Sequence, residues 1–283
     1  ALAECDGNME EAVDFLRKSG AMKAEKKASR IAAEGICRIA IDGGKAVVVE
    51  VNSETDFVSK NEVFQAFVEK VAEQALASNA TDVDGLLAET WAEDTSKTVK
   101  EALVEKVATI GENLNIRRFE KLEGDTVVGY IHGGGRIGVI VAANTDVKND
   151  AIDEALKNVA MQIAALNAKY VSEAEIDADY IAHEKEILKA QIMADPKESQ
   201  KPEKVIDGMI QGRIKKELKE VCLLDQVYVR AEDGKQTVGQ YVAEVAKANG
   251  ANLNITKFVR FETGEGLEKK SEDFAAEVAA QIG

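Results

Sequence analysis

Lys45-Ala-Val-Val-Val-Glu-Val-Asn-Ser-Glu-Thr-Asp56 and Arg136-Ile-Gly-Val-Ile-Val-Ala-Ala-Asn-Thr-Asp146 together decide the fold. Each is an apolar, β-branched run that ends on Thr-Asp, the pattern of a strand leaving a sheet into a turn. A helical pattern follows each one. Residues 68–77 read VEKVAEQALA and residues 156–165 read LKNVAMQIAA. Further on, GENLNIRRF at 111–119 returns as GANLNITKF at 250–258. Three matches in one order identify a duplicated unit.

Outward from these runs, the elements order themselves. Strand 36–41 turns at Gly43-Gly44 into strand 45–51, a hairpin signal. Helices 60–78, 81–92 and 97–109 follow, then strand 113–122. In the second copy, strand 126–131 turns at Gly133 to Gly135 into strand 137–143, followed by helix 150–166, helix 237–249 and strand 253–262. The predicted class is α+β: two related β-β-α-α-β subdomains with antiparallel sheets. Core subdomain N is expected over 36–125, and core subdomain C over 126–170 with 226–263.

The segment 171–225 interrupts the second copy. Ile181, Leu188 and Ile192 share one helical face, and Ile206, Met209, Ile210, Ile214, Leu218 and Val221 form a stripe on another. Pro196 and Pro202 fall in the polar gap between them. This reads as an antiparallel coiled-coil hairpin whose apolar stripe is expected to meet either a partner or a second copy of the chain, a homodimer through the hairpin. At the C-terminus, 264–283 is expected to form a helical module. Its amphipathic helix carries Phe274, Val278 and Ile282, with Ser271 as cap.

Residues 1–20 read as a turn and short helix resembling the last helix of a three-helix ubiquitin-associated-type domain. The chain opens Ala1-Leu2-Ala3-Glu4 inside a helical pattern, so preceding residues are expected to be missing. A basic linker is expected over 21–35. The stretch from Arg17 to Arg30, which runs into it, holds Arg17, Lys18, Lys23, Lys26, Lys27 and Arg30 against the single Glu25. That strip is either a solvated helix or a docking face for an acidic protein surface.

Composition narrows the function. Of 283 residues 45% are apolar, and 51 acidic residues against 36 basic ones give a net charge of -15. Such a body repels phosphates, which argues against direct nucleic-acid or anionic-lipid binding. No apolar run approaches the roughly 18 residues of a membrane span. Cys5, Cys37 and Cys222 are odd in number and match no metal-ligand spacing. A reducing, cytoplasmic setting is the default.

The sharpest motif is Thr55-Asp56-Phe57-Val58-Ser59-Lys60-Asn61-Glu62. Ser59 to Glu62 reads as a capping box, with Val58 and Val63 as its hydrophobic staple. That leaves Asp56 and Phe57 on a loop ahead of the helix. The second copy keeps Thr145-Asp146 but continues with Val147, so the aromatic is peculiar to the first. The pattern alone leaves a buried core Phe57 open as well. His132-Gly133-Gly134-Gly135-Arg136-Ile137-Gly138 contains G-x-G-x-x-G, yet a strand follows where a dinucleotide site needs a helix. No phosphate-binding loop is present. The two histidines, His132 and His183, offer little for acid–base or metal chemistry. No catalytic residues, cofactor or metal are assigned.

The segments TDFV-x-KN at 55–61, IGENLNIRR at 110–118 and HGGGRIGV at 132–139, with Asp273-Phe-Ala-Ala-Glu-Val-Ala-Ala280, resemble the elongation factor Ts family over essentially the whole chain. The resemblance implies a non-enzymatic guanine-nucleotide exchange factor for elongation factor Tu, engaging it GDP-bound and nucleotide-free. It implies that Asp56 and Phe57, flanked by Thr55 and Val58, intrude near that partner's magnesium and phosphate site, with Ile110, Gly111 and His132 in support. The second subdomain would hold another domain of the partner, the C-terminal helix would touch its nucleotide domain, and the hairpin would join two copies. Two departures are visible: the first helices of the N-terminal domain are absent, and the Gly133 to Gly135 turn is longer than usual. Against this stand a pure scaffold or dimerisation protein with a coiled-coil arm, and an enzyme built on the Gly-rich turn.

Overall fold

The structure is a computed structural model and describes residues 1–268. The helix expected over 271–282 lies outside them. The chain begins with α1 (Met9–Lys27), capped where Asn8 Oδ1 accepts from the Glu10 and Glu11 N–H groups. Glu10 and Glu11 in its first turn and Lys26 and Lys27 in its last complement the helix dipole. This one helix runs straight across residue 20, where a short helix was expected to give way to a linker, because it packs along a helix of the first repeat.

Two hairpins and their helices follow. Strands β1 (Glu34–Asp42) and β2 (Lys45–Ser53) pair antiparallel, with Ile36 opposite Val51 and Asp42 opposite Lys45. Next come a single turn, α2 (Asp56–Ser59), then α3 (Glu62–Ala77), α4 (Val83–Ala88), α5 (Val99–Ile110) and β3 (Asn115–Glu123). The strands form a sheet in the order β1-β2-β3. In the second copy, β4 (Thr126–His132) passes through one 3-10 turn at Gly133–Gly135 into β5 (Ile137–Thr145). Helices α6 (Asp150–Leu166), α7 (Ala178–Ala194), α8 (Glu203–Val221) and α9 (Val238–Ala248) precede β6 (Leu253–Glu262). These strands form a second sheet, β4-β5-β6. The α+β class and two small antiparallel sheets therefore stand.

The described residues divide into two compact units, 1–121 with 129–140 and 261–268, and 122–128 with 141–260. In the first unit, α3 buries Phe64, Phe67, Val68 and Val71 against Val47, Val49 and Val51 of β2. Full burial of a side chain such as Phe64 contributes about 2–3 kcal/mol. In the second unit, α6 buries Ile152, Leu156, Val159 and Ile163 completely.

The helix expected over 81–92 is six residues long instead. Gln74 is the cause: its amide donates to the Thr90 carbonyl, and its oxygen accepts from the Ala92 N–H, holding Trp91 in a loop. Gln162 does the same in the second unit, donating to the Val227 carbonyl and accepting from Val229 around Tyr228. Thr98 and Thr237 then open α5 and α9 with capping boxes. The repeat thus extends through Leu86-Leu87 and Leu223-Leu224, and the residues peculiar to the second copy are 167–222. Within them α7 and α8 pack on each other over Ile192, Ile206, Ile210, Ile214 and Leu218, all buried. The stripe whose exposure was the ground for expecting a second copy is covered by its own hairpin partner.

Candidate functional site

Residues 55–60 form a protruding turn with an internal frame. The Thr55 hydroxyl oxygen accepts from the Val58 N–H at 3.4 Å, the Ser59 hydroxyl donates to the Asp56 carbonyl at 2.6 Å, and the Lys60 N–H donates to the Phe57 carbonyl at 3.2 Å. Successive side chains on a helical turn point about 100° apart. The turn uses that angle to split its two apolar residues: Val58 is buried in the core, while Phe57 is 80% exposed. A buried core Phe57 is thereby excluded.

The expected capping box at Ser59–Glu62 does not form. Asn61 caps α3, its Oδ1 accepting from Val63 and Phe64 at 2.9 and 3.2 Å. Val63 is half exposed and does not staple against Val58. The extra turn α2 has already sent Val58 into the core and spent the Ser59 hydroxyl on its own carbonyl, so the next available oxygen takes the cap.

What fixes the turn to the body is the loop at 110–113. Gly111 ends α5 in the left-handed region, φ +89°, and returns its N–H to the Val107 carbonyl. That reversal delivers Glu112 to the end of β2. Glu112 Oε2 accepts from the Glu54 and Thr55 N–H groups at 3.0 and 3.1 Å, and Oε1 accepts from the Thr55 hydroxyl at 2.6 Å. Reciprocally, the Asn113 N–H donates to Glu54 Oε1 at 2.6 Å. Asn113 also donates to the Arg30 carbonyl, and Arg30 pairs with Glu54, tying the residues after α1 to the same loop. Thr55, Asp56, Phe57 and Val58 are thus brought together with Ile110 and Gly111. His132 is placed elsewhere on the first unit, its Nδ1 2.9 Å from the Tyr130 hydroxyl beside it on β4. Arg38 donates to the Gly134 carbonyl of the adjoining turn.

The charge of the turn is local. Asp56 Oδ2 lies 2.6 Å from Lys60 Nζ, one turn on, and this hydrogen bond holds the carboxyl below its usual value. Both side chains are more than half exposed, so the pair contributes little stability. In the second copy Asp146 is occupied: it accepts from the Asn252 backbone N–H and side-chain amide, both at 2.7 Å. Glu54, Lys60 and Glu112 were not singled out from the sequence. A readable signal did exist for Glu112, since it stands against Ala251 in an otherwise matching G-x-N-L-N-I repeat.

Among the described residues no cluster of three or more His, Cys, Asp or Glu could hold a metal ion, and no helix is long and apolar enough to cross a membrane. A solvent-facing aromatic beside a carboxylate, braced from below, is suited to entering another protein's surface.

Comparison with known proteins follows the same line. The family model described as Elongation factor TS matches residues 54–265. Elongation factor Ts of Clostridioides difficile strain 630 is 51% identical over 285 residues, covering all of this chain and 91% of that protein. The Clostridium novyi strain NT protein of the same name is 47% identical, and that of Trichlorobacter lovleyi 45%; each match covers all of this chain and 92% of the relative.

Proposed function

This chain belongs to the elongation factor Ts family, and from that premise we propose that it binds elongation factor Tu and promotes release of GDP by inserting Asp56 and Phe57 near the partner's magnesium and phosphate site. The observation that carries the reading is Phe57: an aromatic 80% exposed to water, next to a buried valine, on a turn clamped at both ends. A ring so exposed contributes little to this chain's own stability and is available to a partner.

The chemistry is one of coupling, with no covalent step. A factor that binds the nucleotide-free partner more tightly than the GDP-bound one lowers GDP affinity, and GDP weakens the factor by the same ratio. Burying the Phe57 ring in the partner supplies about 2–3 kcal/mol, and each tenfold in affinity takes about 1.4 kcal/mol. The ring therefore accounts for about a hundredfold of the coupling. Asp56 arrives with its carboxylate already ionised and held by Lys60. Brought beside the oxygen ligands of a hard cation, it competes for that cation or displaces a ligand. Thr55 and Val58 anchor the pair, and Ile110 and Gly111 shape the loop that braces it. His132, on the hairpin turn of the same unit, is proposed as a separate contact.

Stopped-flow release of a fluorescent GDP from elongation factor Tu tests this. Phe57→Ala should lower the maximal release rate about thirty- to a hundredfold, on the same reasoning. The far-UV circular dichroism should not change, because the ring contributes little to this chain's core. A Phe57→Ala protein that accelerates release as wild type does would refute the wedge.

A further inference from the structure

We propose that Glu112 is a positioning residue for nucleotide exchange: its carboxylate fixes Thr55 so that Phe57 is presented in one orientation before the partner arrives. This rests on the exchange reading above and adds to it a residue that does not itself meet the nucleotide site.

Three observations carry it. Both oxygens of Glu112 are spent on Glu54 and Thr55, the two residues immediately ahead of the Asp56–Phe57 pair. Thr55 in turn caps α2, so the clamp passes through one hydroxyl to the N–H of Val58 and the turn that carries the ring. The second copy shows the alternative. There Ala251 stands in place of Glu112, the Thr145 N–H is held by Asp125 from the preceding turn, and Asp146 is tied to Asn252. An aspartate so engaged is not free to leave. In the first copy Glu54 has taken over the asparagine N–H that Asp146 binds in the second, and Glu112 holds the strand-end N–H groups and the Thr55 hydroxyl where Asp125 holds the Thr145 N–H alone. Asp56 is thereby released to the surface, where its partner is the exposed Lys60.

Preorganisation of this kind acts on the maximal rate more than on grip. The wider interface holds the partner whether or not the turn is set, and a turn correctly placed one-tenth of the time delivers roughly one-tenth of the effect. Loss of hydrogen bonds to a carboxylate is sufficient for a population change of that order, roughly tenfold.

The experiment uses the whole chain in four forms: wild type, Glu112→Ala, Glu112→Gln and Thr55→Val. In stopped-flow GDP release, Glu112→Ala is expected to lower the maximal rate roughly tenfold. Its half-saturating concentration is expected to shift less than about threefold, since the wider interface is intact. Glu112→Gln should recover most of the rate, because its oxygen accepts from the two N–H groups while its amide donates to the Thr55 hydroxyl. Thr55→Val, lacking that hydroxyl, should behave like Glu112→Ala and decides the matter if Glu112→Ala does not fold. A wild-type maximal rate in Glu112→Ala, a loss confined to half-saturation, or a glutamine variant as slow as the alanine one would overturn the proposal. A second readout needs no partner: 4-fluorophenylalanine at 57 should give a resonance in wild type displaced from its free-peptide position, collapsing toward that position in Glu112→Ala. Identical fluorine spectra overturn the clamp even if wild type proves not to speed release at all, an outcome that would count against the exchange reading instead.

Discussion

Glu50 offers the severest test of how the first unit is held together. It lies in the middle of the apolar run Val47-Val48-Val49-Glu50-Val51 and is fully buried. Its carboxylate accepts from Arg117 Nη1 at 3.0 Å, Arg118 Nε at 2.5 Å, Asn52 Nδ2 at 3.0 Å and the Gly264 N–H at 2.8 Å. Burial pushes the carboxyl upward, but the Gly264 and Asn52 donors and the Arg118 charge outweigh it, leaving the group below its ordinary 4.5. Removing one partner of a buried ion pair costs about 3–5 kcal/mol. The side chains of Arg117 and Arg118 keep 20% and 30% exposure and can recover water, which places Glu50→Ala near the lower end. At about 2–4 °C per kcal/mol for a domain of this size, the thermal midpoint should fall by roughly 6–12 °C. Glu50→Gln keeps one acceptor oxygen and should lose roughly half as much. The pH dependence fixes the mechanism. A depressed carboxylate contributes stability that is whole above the unfolded value of 4.5 and is lost as pH falls through the lower folded value. The gap between wild type and Glu50→Gln should therefore be full at neutral pH and narrow below 4.5, measured by circular dichroism melts. A Glu50→Ala midpoint within about 2 °C of wild type, less than 1 kcal/mol, would refute the hub, as would a gap that widens in acid.

Gln162→Ala should cost about 2–4 kcal/mol in urea unfolding, because it orphans the Val227 carbonyl and Val229 N–H that this fully buried amide satisfies. Hydrogen exchange at Val229 should accelerate with it, and a loss under about 1 kcal/mol would show that water replaces the clamp. Gly264→Ala should be more damaging than Gly234→Ala, although both glycines have positive φ, +73° and +62°. A Cβ at 264 would sit 2.1 Å from the Ala33 carbonyl oxygen, whereas at 234 it meets open space. Melting temperatures of the two variants decide this, and equal losses would count against it.

The duplicated unit was legible because its signal is periodic. Strand runs, Thr-Asp ends and G-x-N-L-N-I loops repeat in order, and the observed strands lie within a few residues of those expected. Misplaced elements had tertiary causes. The helix expected to continue to 92 stops at Ala88 because Gln74 reaches from another helix to bind the loop backbone. Neither composition nor period announces such a bond. The same holds at the site. Thr55 to Val58 could be singled out as an asymmetric motif, but the single turn α2, which points Phe57 outward and Val58 inward, depends on side-chain oxygens that a capping-box reading assigned to the next helix. Glu112 was hidden for a different reason: it lies 57 residues from Thr55, and the link is visible only when strand end and helix end meet. The hairpin stripe was legible as apolar, though not that its two helices would suffice to cover it.

The two copies also act as controls for one another. Bonds that maintain the fold are present in both: Gln74 and Gln162 around the aromatic loops, Thr98 and Thr237 at the capping boxes, and an asparagine N–H bound to an acid near the strand end. An acid on the N–H of the strand-end threonine is present in both as well, Glu112 on Thr55 and Asp125 on Thr145, but it comes from different places in the chain and the residues around it differ. Phe57 stands against Val147, Glu112 against Ala251, and Glu54 against Asn144, while a helical turn occurs after Thr55 and not after Thr145. The second copy holds this corner with two acids, Asp125 and Asp146, and the first copy has three, Glu54, Asp56 and Glu112. The surplus is arranged so that Asp56 and Phe57 bind nothing they must abandon except the solvent-exposed Lys60. The Asp56 and Phe57 side chains can therefore move without breaking a bond of the sheet or its helices, which is what the proposed exchange role requires.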